Sequence, residues 1–310
     1  MAHSTTLGKI HKLARRETNP FEGSKFGCGA PENTDPKVDE HIQSLVKAER
    51  ERLADLGQKL SITSSQGESG NTHALTDSQL LAQQPKTVQV VWHVIHDGPE
   101  GDLTPDQIKA QMDVLNNDFK DAGFVFNLQE SKKVENKEWS REISGITPLH
   151  LEMEKALHKG DMKTLNLYSL KIKPGPQGFT TGFSQYPWVV QQRGLFHDAV
   201  VIHYATVPGV FQKDYEVNHG KALTHESGHW FGLKHVFENV CNAPGDSVDD
   251  TPPQAGPSDG CPTTAPDTCP GGGVDSIHNH MDYTVDRCKT EFTEGQIVRM
   301  QAIAKEYRGL

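Results

Sequence analysis

The chain has no run near the eighteen or so consecutive apolar residues that a membrane-spanning helix needs, so no membrane span is expected. Residues 1–23 are polar and basic, and no signal peptide is visible in them. Positive charge is in deficit: 31 Lys and Arg stand against 41 Asp and Glu, a net of −10 that argues against nucleic acid as a partner. There is no Asn-x-Ser/Thr sequon, so N-glycosylation is not expected. No Cys-x-x-Cys pair is present, which weakens a structural zinc site built from cysteines. No EF-hand spacing and no internal repeat occur.

What remains is a rather polar chain of 310 residues, enough for one large domain or two modest ones. Its acidity is local. From Glu238 to Glu294 eleven acidic residues face only Arg287 and Lys289. A soluble acidic loop region accounts for this. A calcium site is the sharper reading, with Asp246, Asp249, Asp250 and Thr251 as candidate oxygen ligands. Four of the five cysteines, Cys241, Cys261, Cys269 and Cys288, lie in the same stretch. That stretch is rich in Gly, Pro and Asp and cannot bury much apolar surface, so two disulfides are expected, in an oxidising compartment. Four cysteines allow three pairings, and a structural zinc site competes with them. Cys28 is left over, far upstream.

Residues 1–36 read as loop, with Arg15-Arg16 a candidate processing site. Helical periodicity follows to about residue 60 through Ile42, Leu45, Val46, Leu53 and Leu56. Residues 61–84 are polar and read as a linker, which puts a boundary near Pro85. Val88–Ile95 is a buried strand candidate, and the cap Thr104 with Pro105 opens a helix to about Asp118. His93 and His96 are too badly spaced on a strand to share a metal. Further strands are expected at 124–128, 164–172 and 198–204. Thr180–Tyr186 alternates and ends at Pro187, as an edge strand does. A last helix starts after Thr293.

The strongest signal is His225-Glu226-Ser227-Gly228-His229-Trp230-Phe231-Gly232-Leu233-Lys234-His235. On a helix, His225 and His229 share one face a turn apart, and Glu226 can address a water on the metal they hold. Gly232 allows the helix to stop, and His235 returns as a third ligand. Three protein ligands leave one tetrahedral position for water, the layout of a catalytic zinc site. The extended form of the motif is a metzincin signature that also needs a downstream methionine turn, for which Met281 is the candidate.

These stretches, with Asp198–Tyr204, Asp250-Thr251-Pro252, Met281-Asp282-Tyr283 and Cys288–Thr293, resemble the pappalysin family of metzincins, especially its secreted fungal and bacterial members. The likeness covers roughly residues 85–310. It implies an α+β catalytic domain. The upper part, about 85–232, would hold a twisted, mostly parallel five-stranded sheet with a backing helix and the zinc helix. The lower part, about 233–310, would be irregular and disulfide-linked, with the methionine turn and the C-terminal helix. Residues 1–84 would be an N-terminal segment and candidate pro-region. The resemblance further implies the disulfides Cys241–Cys269 and Cys261–Cys288, and a zinc-blocking role for Cys28.

The activity so implied is that of a secreted zinc endopeptidase acting on proteins or peptides, with Glu226 as general base to a zinc-activated water. Tyr283 would assist at the oxyanion, and Met281 would floor the site. Asp286 in the pocket after the scissile bond would favour Lys or Arg; Arg287 there would favour acidic residues. Two rival readings are a zinc-binding effector without turnover and a zinc hydrolase of non-peptide bonds. The intact Glu226 speaks against the first, since binding alone does not require it.

Overall fold

The computed structural model describes residues 28–29, 35–64, 75–175 and 178–310, without the side chains of 60–64. Arg15-Arg16 lies outside the described residues. Helix α1 (Pro36–Ser64) buries Ile42, Val46 and Leu53 along one face. Helix α2 (Asp77–Ala82) falls where a linker was expected. Thr76 and Gln79 cap it reciprocally, and Leu80 and Leu81 bury into the core that receives α1. Two apolar residues are too few to make a period, so this helix left no hydrophobic signal.

Strand β1 (Lys86–His96) is the inner strand on which the sheet is built. Helix α3 (Pro105–Phe119) starts at a Thr104–Gln107 capping box and buries Ile108, Met112, Leu115 and Phe119. Strand β2 (Phe124–Glu135) runs well past the expected end at Leu128. Its second half is a polar, mostly exposed sheet edge, and hydrophobicity could not announce it. Two short helices follow, α4 (Lys137–Glu142) and α5 (Pro148–Leu157), capped by Asn136 and Thr147. Strand β3 (Thr164–Leu170) is buried at every residue, as suits a central parallel strand. Strand β4 (Gly182–Ser184), helix α6 (Pro187–Arg193) and strand β5 (Ala199–His203) complete the upper part, with α7 (Lys221–Trp230) beneath it. Helix α8 (Glu294–Ile303) opens on a Thr293–Gln296 capping box and ends in a wider turn, Ala304–Arg308.

The sheet order is β2-β1-β3-β5-β4, parallel throughout except for β4, which runs antiparallel to β5. The β4 edge position agrees with the alternating pattern before Pro187, although the strand itself is shorter. The larger core lies on the face covered by α3, α7, α8 and the N-terminal α1 and α2. A smaller core, with Met153, Tyr168 and Phe183, lies on the other face. Between α7 and α8 the chain makes no strand and only short turns. There Cys241 is joined to Cys269 and Cys261 to Cys288, the pairing that the resemblance implies. Cross-links of this kind substitute for the apolar burial that a polar segment cannot supply.

Candidate active site

Helix α7 has Gly220 at its N-cap, with a left-handed φ of 90° and no side chain to cap with. Asp286 does so from the far side of the methionine turn: its Oδ2 accepts from the backbone N–H of His219 at 2.9 Å and of Lys221 at 3.3 Å. Asp118 of α3 fixes the first turn, accepting from Thr224 Oγ1 and Lys221 Nζ, each at 2.7 Å. The helix stops at Gly232, with φ 84°. Leu233 N–H reaches Gly228 O at 2.9 Å and Gly232 N–H reaches His229 O at 2.8 Å, a paired C-terminal motif that reverses the chain toward His235.

That reversal brings three imidazoles together. Nε2 of His229 lies 3.2 Å from Nε2 of His225 and 3.2 Å from Nε2 of His235. Nδ1 of His225 donates to His280 O at 2.7 Å, and Nδ1 of His229 to Leu233 O at 2.7 Å. With their protons on Nδ1, the two Nε2 atoms face each other as lone pairs, which is repulsive unless a cation lies between them. A tetrahedral zinc with nitrogens at about 2.0–2.1 Å has edges close to these separations. Burial lowers the pKa of all three histidines, to about 4 for His229, and so keeps them neutral as ligation requires. The residues present therefore fit zinc.

Glu226 is wholly buried beside the triad, and desolvation pushes its pKa up to about 8 against the opposing hydrogen bond from Cys28. The Cys28 thiol donates to Glu226 Oε2 at 3.2 Å. Cys28 Sγ and the histidine nitrogens all lie within 4.8 Å of one another. Cys28 is held by its neighbours as well: its N–H donates to Tyr283 Oη at 2.9 Å, and Gly29 N–H donates to Gly182 O on β4 at 3.2 Å. Tyr283 Oη is also 3.2 Å from His235 Nε2. Met281 is fully buried against Gly228, where a Cβ would overlap its Sδ. Phe237 stacks on His235 with centroids 4.8 Å apart.

The remaining candidates sort differently. Arg287 points outward and pairs with Glu216, so it does not enter the pocket. Asp286 lines a small cavity beside His225, and so does Lys289, a residue that the sequence reading passed over. The calcium expectation is not supported, because the three candidate carboxylates serve separate partners, one of them the fourth candidate, Thr251. Asp246 Oδ1 accepts from Thr251 Oγ1 at 2.6 Å, Asp250 caps the start of α8 through Thr293 and Gly295, and Asp249 pairs with Arg50 at 3.1 Å. His93 is buried against Tyr168, and His96 bonds Gly98 O; neither joins the triad. The carbonyls of His280 and Leu233, which orient two of the histidines, carry no sequence signal, since backbone oxygens belong to every residue.

Known proteins are similar to this chain. Residues 155–305 match the family described as "Pregnancy-associated plasma protein-A". An extracellular metalloprotease of Arthroderma benhamiae is 41% identical over 72% of this chain and 73% of its own. One from Podospora anserina is 36% identical over 93% of this chain and 92% of its own. Among solved structures, mature mirolysin of Tannerella forsythia in complex with a cleaved peptide is 25% identical, with a TM-score of 0.58 over 72% of this chain and 96% of that one. The fold is that of a metzincin, and the chain belongs to the pregnancy-associated plasma protein-A (pappalysin) family of metalloproteases.

Proposed function

We propose that the chain is a secreted zinc endopeptidase, held latent by its own N-terminal segment. The triangle of Nε2 atoms on His225, His229 and His235, with Glu226 buried beside it, carries this reading. Zinc, when bound, supplies Lewis acidity to a water and to the scissile carbonyl. Glu226 takes the proton from the attacking water and returns it to the leaving amine, a double duty suited to a carboxyl whose pKa is raised toward neutrality. The Tyr283 hydroxyl donates to the developing oxyanion. The free edge of β4 takes the substrate backbone, where Gly29 now bonds Gly182.

Residues 85–310 form the catalytic domain, and residues 1–84 act as a pro-region that contributes Cys28. A cysteine thiolate is a good zinc ligand and excludes water from the fourth position. Peptides as substrates are supported by the mirolysin complex, and export by relatives named extracellular and by the two disulfides.

Casein hydrolysis should be measured with and without a chelator, for the wild type and for Glu226→Ala, alongside zinc content. Glu226→Ala should keep its zinc and lose activity by roughly two to four orders of magnitude. Undiminished hydrolysis by that variant would sink the reading. Stoichiometric zinc without cleavage of any amide would favour an effector.

A further inference from the structure

Beside the first histidine of the triad is a cavity of about 20 Å³, whose walls include Cys28, Ala222, His225, Tyr283, Asp286 and Lys289. A side chain that enters it must adjoin the scissile bond, because His225 itself is one wall. Two opposite charges face this space, and they are not equally available. Asp286 is occupied: its Oδ2 already accepts from the N–H groups of His219 and Lys221 at the start of α7, where a carboxylate offsets the positive end of the helix. Lys289 is only 9% exposed, and its Nζ has no hydrogen-bond or ion-pair partner among the described residues. Burial pulls the ammonium below its usual pKa, with the charge of Asp286, and then those of Asp282, Glu226 and Cys28, opposing. A largely buried ammonium without a hydrogen-bond partner, in a substrate-facing wall, gains most from an incoming anion.

Resting on the proposed peptidase activity, we infer that Lys289 makes this subsite select an acidic side chain, Asp or Glu, directly next to the scissile bond. Asp286 alone would favour a basic one. With its charge held by the helix terminus, the ammonium decides the sign. Cys28 forms one wall, so departure of its segment widens the subsite toward the size of a carboxylic side chain.

The test is a peptide library of proteome origin, digested by the zinc-loaded full chain, both as the wild type and as Cys28→Ala, with the cut sites mapped by mass spectrometry. Asp and Glu should be enriched over Lys and Arg by about tenfold at one position flanking the cut. Lys289→Met should abolish that enrichment, Lys289→Arg should keep it, and Lys289→Glu should turn it toward basic residues. A wild-type preference for Lys or Arg there, or a folded Lys289→Met variant with an unchanged profile, overturns the inference and leaves the peptidase intact. No cleavage by either the wild type or Cys28→Ala overturns the peptidase reading and this inference together. The wild-type profile decides the sign even if a Lys289 variant fails to fold.

Discussion

The thiol of Cys28 sits 3.2 Å from Oε2 of Glu226, so a residue near the N-terminus rests on the proposed general base. The same cysteine is bonded through its N–H to Tyr283. One short segment thus covers the base, the open side of the triad and the proposed oxyanion donor. Cys28→Ala removes the thiol while leaving the backbone contacts. In the unprocessed chain it should raise hydrolysis of a fluorogenic peptide by an order of magnitude or more over the wild type. Equal rates in the two unprocessed proteins would count against a blocking role.

Gly228 and Met281 are in close contact between α7 and the segment after it, and a Cβ at 228 would overlap Met281 Sδ while making an ordinary contact with Leu233. Both neighbours are buried and cannot swing into solvent. Gly228→Ala should therefore lower the melting temperature and zinc occupancy together, although Ala has the better helix propensity. A gain in stability, as propensity alone would give, would show that the turn yields.

Arg308 ties the C-terminal turn to the end of α7. Its guanidinium lies 3.5 Å from the Trp230 ring centroid, donates to Trp230 O at 2.8 Å, and pairs with Asp198, with both partners fully buried. Removing one member of such a pair leaves the other charge stranded. Arg308→Ala should cost about 3–5 kcal/mol in urea unfolding. A loss within the range of an exposed pair, under about 1 kcal/mol, would mean that water reaches Asp198.

Asp246 is buried in the lower part, and desolvation raises its pKa from 3.8 to about 7 despite the hydrogen bond from Thr251. Between those values the unfolded chain ionises this carboxyl while the folded chain keeps its proton. Stability is thus lost as pH rises through that window and levels off above it. Asp246→Asn can still accept from Thr251 and has nothing to ionise. Its melting temperature should exceed the wild type's by several degrees near about pH 8, with the difference gone near about pH 4. A pH-independent difference would place the carboxylate in contact with water or a cation.

Much of the site was legible because its geometry is local. His225 and His229 are a helical turn apart, Gly232 ends the helix, and His235 follows at once, so one eleven-residue stretch carries the proposed ligands and base. Lys289 and Asp286 were harder, since the zinc-helix N-terminus that occupies one and leaves the other is some 65 residues upstream of Asp286. Helix α2 and the far half of β2 were missed because both are short of apolar residues; a capping box starts the one, and pairing with β1 continues the other.

Residue type and order alone announce the zinc-type motif, the core strands, the edge character before Pro187 and the need for cross-links in the polar lower part. Each follows from periodicity, composition or spacing within a short stretch. Folding in three dimensions turns Arg287 outward, gives Asp246, Asp249 and Asp250 separate partners, and brings Cys28 to Glu226. Those outcomes depend on contacts between residues far apart in the chain. Charge type and spacing set what a side chain can do, but burial and the nearest partner set what it does.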